Sequence, residues 1–170
     1  MGTMSQKNER VGILGTGLVG SAIAEIFLEK GISVVVWNRT KSRTEPLVAQ
    51  GAIQAETSAE VGKECNYVFI SVMTTDVVVE LCEGENGLLN AQYPPKYILD
   101  TTTGDPDGTI ALAERLSKRD VFFLDATISG SSKQIRDRQA LYMVGGDKKA
   151  YKECENLLRL VTDQYVYMGA

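Results

Sequence analysis

The chain contains no histidine. That absence removes Ser-His-Asp hydrolysis and every dehydrogenase chemistry in which an imidazole is the acid or base. Cysteine is scarce: Cys65, Cys82 and Cys154 are widely spaced, odd in number, and lack any zinc-ligand spacing. Each lies in an apolar, helix-like pattern, so buried inert thiols in a reducing cytoplasm are expected, and no metal site. No apolar run approaches the roughly 20 residues that span a bilayer. Met1 to Arg10 is polar with no apolar centre, unlike a signal peptide, and Gln6 stands where myristoylation needs Ser or Thr. A loose arm over residues 1–9 is expected. Positive charge is not in excess either. A net charge of −4 and a pI near 5.0 argue against a nucleic-acid or anionic-membrane surface but leave room for a local basic pocket.

What remains is a chain of 170 residues, 44% hydrophobic and 24% charged, long enough to bury one proper core. Apolar runs alternate with helix-period segments, which predicts an α/β domain over residues 10–170. Its expected form is a Rossmann-type doubly wound, mostly parallel sheet. Strands are predicted at Arg10–Leu14, Ser33–Trp37, Tyr67–Val72, Tyr97–Asp100 and Val121–Leu124, with a weak one at Ala52–Gln54. Helices are predicted at Leu18–Lys30 (with Gly31 just past its end), Ser42–Gln50, Ser58–Cys65, Thr75–Glu83 and Pro106–Arg119. After Asp125 the rhythm changes: Ala126–Gly130, a polar stretch, Leu141–Gly145, a helix from Lys148 to Val161, and Tyr165–Met168. This predicts a small strand-rich C-terminal extension.

The segment Gly15-Thr16-Gly17-Leu18-Val19-Gly20 has G-x-G-x-x-G spacing, directly after an apolar strand and directly before an amphipathic helix. That context makes it a dinucleotide fingerprint. Gly15 turns the chain off the strand, Gly17 lets a pyrophosphate approach the backbone, and Gly20 lets the helix pack close. The helix N-terminus then faces the phosphates.

The end of the second strand selects the nucleotide. An Asp or Glu there accepts from the ribose 2′-hydroxyl of NAD. This chain instead has Asn38, followed by Arg39, Thr40 and Lys41, with Arg43 close behind. Asn38 does not repel a 2′-phosphate, Arg39 offers a planar fork of donors or a stacking plane for adenine, and Thr40 adds a hydroxyl. In isolation the same cluster would read as a solvated basic turn; at this distance after the glycines it points to NADP(H). Val72, Met73, Thr74 and Thr75 follow a strand at its carboxyl end, where doubly wound sheets bind ligands, and are candidates for the nicotinamide side. Thr75 or Asp76 can also serve there as a helix N-cap.

With these segments, and with Asp100–Pro106 (DTTTGDP), Asp125–Ser132 (DATISGSS) and Tyr142–Asp147 (YMVGGD), the chain resembles the β-hydroxyacid dehydrogenase family. That family includes 3-hydroxyisobutyrate dehydrogenase, glyoxylate/succinic semialdehyde reductase and, more distantly, 6-phosphogluconate dehydrogenase. The resemblance covers nearly the whole chain after Arg10. It implies a cofactor contact near the nicotinamide for Thr103, and a substrate-carboxylate contact for Ser129 and Gly130, with Ser131 beside them. Members usually show P-V-S-G-G; here Thr127-Ile128-Ser129-Gly130-Ser131 stands instead, a glycine-to-serine change similar to that of the glyoxylate/succinic semialdehyde reductases. Lys133, Arg136 and Arg138 bring positive charge to this neighbourhood, either toward the site or merely into solvent.

The resemblance also implies a general-acid lysine on a glycine-rich helix start, for which Gly169 resembles the first glycine, and then an all-helical domain that builds a homo-oligomer. Neither lies within residues 1–170, so the expectation is the cofactor-binding part of an NADP-dependent oxidoreductase, with no catalytic residue of its own. The expected substrate is a small carboxylate-bearing hydroxy acid or semialdehyde, with no nucleic-acid or membrane partner. Imine reduction and a non-catalytic NADP-binding interaction module are the alternatives.

Overall fold

The computed structural model describes residue 7 and residues 9–170, so most of the expected N-terminal arm lies outside the described residues. In chain order the elements begin β1 (Arg10–Leu14), α1 (Leu18–Glu29), β2 (Ser33–Trp37), a 3-10 turn at Lys41–Thr44, α2 (Glu45–Val48), β3 (Ile53–Gln54) and α3 (Ser58–Glu64). Next come β4 (Tyr67–Ile70), α4 (Thr75–Glu83), a 3-10 turn at Leu88–Asn90, β5 (Tyr97–Asp100) and α5 (Pro106–Ser117). The chain continues through β6 (Phe122–Ser129), α6 (Ser132–Arg136), β7 (Leu141–Gly146), α7 (Lys148–Val161) and β8 (Gln164–Gly169).

One eight-stranded sheet runs in the order β3-β2-β1-β4-β5-β6-β7-β8. The first six strands are parallel; β7 runs antiparallel to β6, and β8 is parallel to β7. The order reverses between β1 and β4, and the crevice outside their carboxyl ends is where such sheets take ligands. Helices cover both faces, which is why β1, β2 and β4 are almost wholly buried. One apolar layer packs Ile23 and Phe27 of α1 with Leu158 of α7 against Ile13 and Phe69. The other packs Val61, Val78 and Leu112, from α3, α4 and α5, against Val68 and Ile98. Phe27 and Phe69 meet with ring centroids 5.6 Å apart, and truncating either would cost about 3–5 kcal/mol.

Local chemistry explains where elements stop. α1 ends in a Schellman motif: Gly31, at φ +74°, donates to Leu28 O at 2.9 Å, and Ile32 donates to Phe27 O at 3.0 Å. The single helix expected over Ser42–Gln50 is instead the 3-10 turn followed by α2. Pro46 has no N–H for a continuous ladder and sits in the first turn of the new helix. The strand expected to reach Val72 stops at Ile70. Val121–Leu124 and Ala126–Gly130 are one strand, β6, because Asp125 points outward between apolar neighbours and does not break the ladder. The polar stretch after Gly130 holds α6, started by a capping box in which the Ser131 hydroxyl and the Gln134 side chain serve each other's backbone. No helix among the described residues is long and apolar enough to cross a membrane.

Candidate functional site

The glycine loop closes over the carboxyl end of β1. Gly15 has φ +90°, and its N–H donates to Trp37 O at 2.9 Å. A Cβ at Gly15 would lie 2.1 Å from Ser71 O, and one at Gly20 would lie 1.9 Å from Gly15 O. Both positions therefore need glycine for packing. Gly17 is different: a Cβ there meets nothing within 4 Å. It faces open space as the N-cap of α1, with no side-chain cap and no acidic residue in the first turn. The orphan N–H groups of that turn and the positive end of the helix dipole are left for an outside anion. Beside them the Thr16 hydroxyl is buried and has no hydrogen-bond partner among the described residues. Residues 15–20 thus fit a pyrophosphate.

Asn38 joins this loop to the end of β2. Its Oδ1 accepts the Thr16 N–H at 3.0 Å, and its Nδ2 donates to Thr40 O at 2.9 Å. The adjacent cations divide into two kinds. Lys41 is paired with Glu56 at 2.6 Å. Arg39 and Arg43 are exposed and pair with no carboxylate among the described residues. An unpaired guanidinium beside a neutral amide suits a phosphate monoester.

The loop after β4 lies against the glycine loop, and the loops after β4 and β5 lie against each other. Ser71 donates to Leu14 O at 2.9 Å, and Val72 donates to Thr102 Oγ1 at 3.2 Å. Thr101 donates both its N–H and its hydroxyl to Ile70 O, at 2.8 and 2.9 Å. The N-cap of α4 is Thr74, whose hydroxyl accepts the Val77 N–H at 3.4 Å; neither Thr75 nor Asp76 has that role. Thr75 is buried, and its hydroxyl accepts the Asp105 N–H at 2.8 Å, tying the starts of α4 and α5 together. Met73 and Leu18 stay open to solvent at 86% and 77% exposure, unusual for apolar side chains. Thr103 is exposed at the same edge.

Asp100 is the residue the sequence reading passed over. It ends β5 only 4% exposed, and its Oδ1 accepts the Thr102 N–H at 2.9 Å. Burial pushes its pKa up to about 6; the Thr102 hydrogen bonds oppose that shift, and Asp125 across the register adds to it. The available signal was a carboxylate closing an apolar strand at the sheet's ligand edge.

β6 carries Ser129 and Gly130 past that edge, since its pairing with β5 ends at Asp125. Ser129 is exposed at the strand's end. Ser131 is not free in the same way: its hydroxyl accepts the Gln134 N–H at 3.2 Å and bonds Gln134 Oε1 at 3.1 Å. Nor do the three cations expected nearby offer unspent charge. Lys133 pairs with Asp137, Arg136 with Glu25 of α1, and Arg138 with Asp163. The cysteines are buried and free, and burial holds Cys65 and Cys154 up at about 12. Cys65 sits in extended backbone just past α3 rather than within the helix. No cluster of potential metal ligands occurs among the described residues.

Comparison with known proteins accords with this geometry. The family model for the NAD binding domain of 6-phosphogluconate dehydrogenase matches residues 10–169. The chain is 31% identical over 169 residues to glyoxylate/succinic semialdehyde reductase 2, chloroplastic, of Arabidopsis thaliana, covering 99% of this chain and 46% of that protein. It is 30% identical over 168 residues to the cytokine-like nuclear factor N-PAC of Homo sapiens, covering 99% of this chain and 30% of that protein. The chain therefore spans less than half the length of these curated relatives. Among solved structures, an imine reductase from Pseudomonas sp. superposes with a TM-score of 0.87 at 28% identity, over 96% of this chain and 56% of that one. A Mycobacterium tuberculosis 3-hydroxyisobutyrate dehydrogenase shares the fold, with a TM-score of 0.88 at 21% identity over 96% of this chain and 55% of that one. Fingerprint, strand order and family match agree: the chain belongs to the β-hydroxyacid dehydrogenase family, as the nicotinamide-dinucleotide-binding domain that family shares with 6-phosphogluconate dehydrogenase.

Proposed function

We propose that this domain binds NADP(H) in preference to NAD(H) and serves a reductase of small carboxylate-bearing aldehydes or keto acids. The observation that carries the cofactor preference is the β2 end: Asn38 is held as an amide between Thr16 and Thr40, with Arg39 unpaired beside it. Arg39 and Thr40 hold the 2′-phosphate, and the first turn of α1 holds the pyrophosphate across Gly17. Val72 to Thr75 and Thr103 border the nicotinamide ribose. When bound, the nicotinamide supplies a hydride. Ser129 and Gly130 then take the substrate carboxylate with a hydroxyl and a backbone N–H.

Reduction of a carbonyl also needs a proton donor. Lys133, the lysine nearest the substrate loop in sequence, is engaged by Asp137. The domain alone therefore binds nucleotide without turnover, and the acid is supplied by a further part of the enzyme. Isothermal titration with NADPH and NADH tests the cofactor reading: NADPH is expected to bind at least about tenfold tighter, as one charge-assisted contact implies. Equal affinities would refute it.

Two other readings have specific support. Likeness to an imine reductase at 28% identity favours an imine as the group reduced. Likeness to N-PAC, named a nuclear factor, favours a nucleotide-binding module whose role is interaction. A protein carrying this domain that binds NADPH tightly yet reduces no aldehyde, keto acid or imine would favour the latter.

A further inference from the structure

Three loops meet at the carboxyl edge, and a chain of hydrogen bonds sets two of them relative to each other. The Val72 N–H donates to Thr102 Oγ1 at 3.2 Å, and the Thr102 N–H donates to Asp100 Oδ1 at 2.9 Å, which brings the Thr102 hydroxyl beside the same carboxyl group. Asp100 and Thr102 are both buried, 4% and 6% exposed, so water does not substitute for either partner. Val72 in turn follows Ser71, whose carbonyl lies where a Cβ of Gly15 would collide. An ordinary buried strand end would spend an apolar residue here. A buried carboxylate next to Asp125 is costly, and it is kept beside the hydroxyl that accepts from Val72 in the β4 loop.

We propose that Asp100 is a positioning residue: its carboxylate orients the Thr102 hydroxyl so that a lone pair faces the Val72 N–H, fixing the loops at 71–75 and 101–105 that border the nicotinamide half of the cofactor. This rests on the cofactor reading above and goes beyond it. Asp100 does not touch the nucleotide. A hydroxyl has one proton and two lone pairs, so a full acceptor at 100 commits the proton and leaves a lone pair free for Val72. An Asn at 100 keeps an acceptor for the Thr102 N–H but turns an NH₂ toward the hydroxyl, which then competes with Val72 and strands the hydroxyl proton.

The test compares two ligands on the domain as it stands. NADP⁺ has both halves; adenosine 2′,5′-bisphosphate has only the adenosine half. Asp100→Asn and Thr102→Val are each expected to weaken NADP⁺ by about tenfold, the loss of one set of oriented hydrogen bonds. Adenosine bisphosphate should bind both variants within about twofold of wild type, because its contacts do not pass through the 71–75 loop. Thr102→Ser, which keeps the hydroxyl, should restore NADP⁺ binding. Should Asp100→Asn fail to fold, the Thr102 pair carries the same comparison. Equal weakening of both ligands would mean that Asp100 only supports the fold, and unchanged NADP⁺ binding would mean that the relay sets nothing; either overturns the assignment. If wild type binds neither ligand, the cofactor reading fails and takes this one with it.

Discussion

Asn38 Oδ1 accepts the Thr16 N–H at 3.0 Å while Asn38 Nδ2 donates to Thr40 O at 2.9 Å, so one side chain spans the glycine loop and the turn that ends β2. A carboxylate cannot do both. In Asn38→Asp the carboxylate still accepts from Thr16, but it faces the Thr40 carbonyl with no proton between them and repels a 2′-phosphate. Titration should show NADPH binding weakened by at least about tenfold, with NADH affinity unchanged or improved. A parallel loss for both nucleotides would place the effect in loop geometry instead.

The glycines separate folding from binding. Gly17→Ala puts a methyl into open space at unstrained backbone, so its stability should stay within about 1 kcal/mol of wild type while nucleotide affinity falls at least about tenfold. Gly20→Ala drives a methyl to 1.9 Å from Gly15 O; it should cost about 3 kcal/mol in urea unfolding before any ligand is added. Matching stabilities for the two variants would contradict the packing described here.

Asp100 gives stability an unusual pH dependence. Its pKa is pushed up to about 6 from 3.8, chiefly by burial, with Asp125 of β6 and Cys82 of α4 as the titratable groups facing it. Between those values the folded state keeps a proton that the unfolded chain has lost. Stability from this group therefore falls as pH rises through the window, by about 3 kcal/mol in full. Asp100→Asn removes this pH dependence, so its stability relative to wild type should rise between pH 4 and pH 7. A difference that stays flat over that range would show that Asp100 does not titrate inside the window.

Ser131 and Ser129 are neighbours with different employment. The Ser131 hydroxyl closes the capping box of α6. Ser131→Ala should therefore cost about 1 kcal/mol. Ser129 stands exposed at the end of β6, past the part that pairs with β5. Ser129→Ala should leave stability within about 0.5 kcal/mol and appear as a raised KM for a carboxylate substrate in the complete reductase. A large thermal shift for Ser129→Ala would assign its hydroxyl to structure.

Much of this was readable in the residues because each level agreed with the next. Apolar runs became buried parallel strands, Gly31 ended α1, and the G-x-G-x-x-G segment formed a glycine loop at the sheet's switch point. What the sequence hid was pairing at a distance. Asp125 read as a strand break because a charge alone does not say which way it points. Arg136 read as charge either near a substrate or in solvent, and its pairing was hidden because Glu25 is 111 residues away. Asp100 read as the first letter of a motif, and its bond to Thr102, with the onward bond from Val72, exists only where β4 and β5 lie side by side.

The most direct measurement is a crystal structure of the domain grown with saturating NADP⁺. The account predicts the pyrophosphate on the first-turn N–H groups of α1 over Gly17, the 2′-phosphate within hydrogen-bond reach of Arg39 and Thr40, and the nicotinamide ribose beside Val72 and Thr103. A nucleotide seated elsewhere, or a crevice between β1 and β4 left empty, would contradict it.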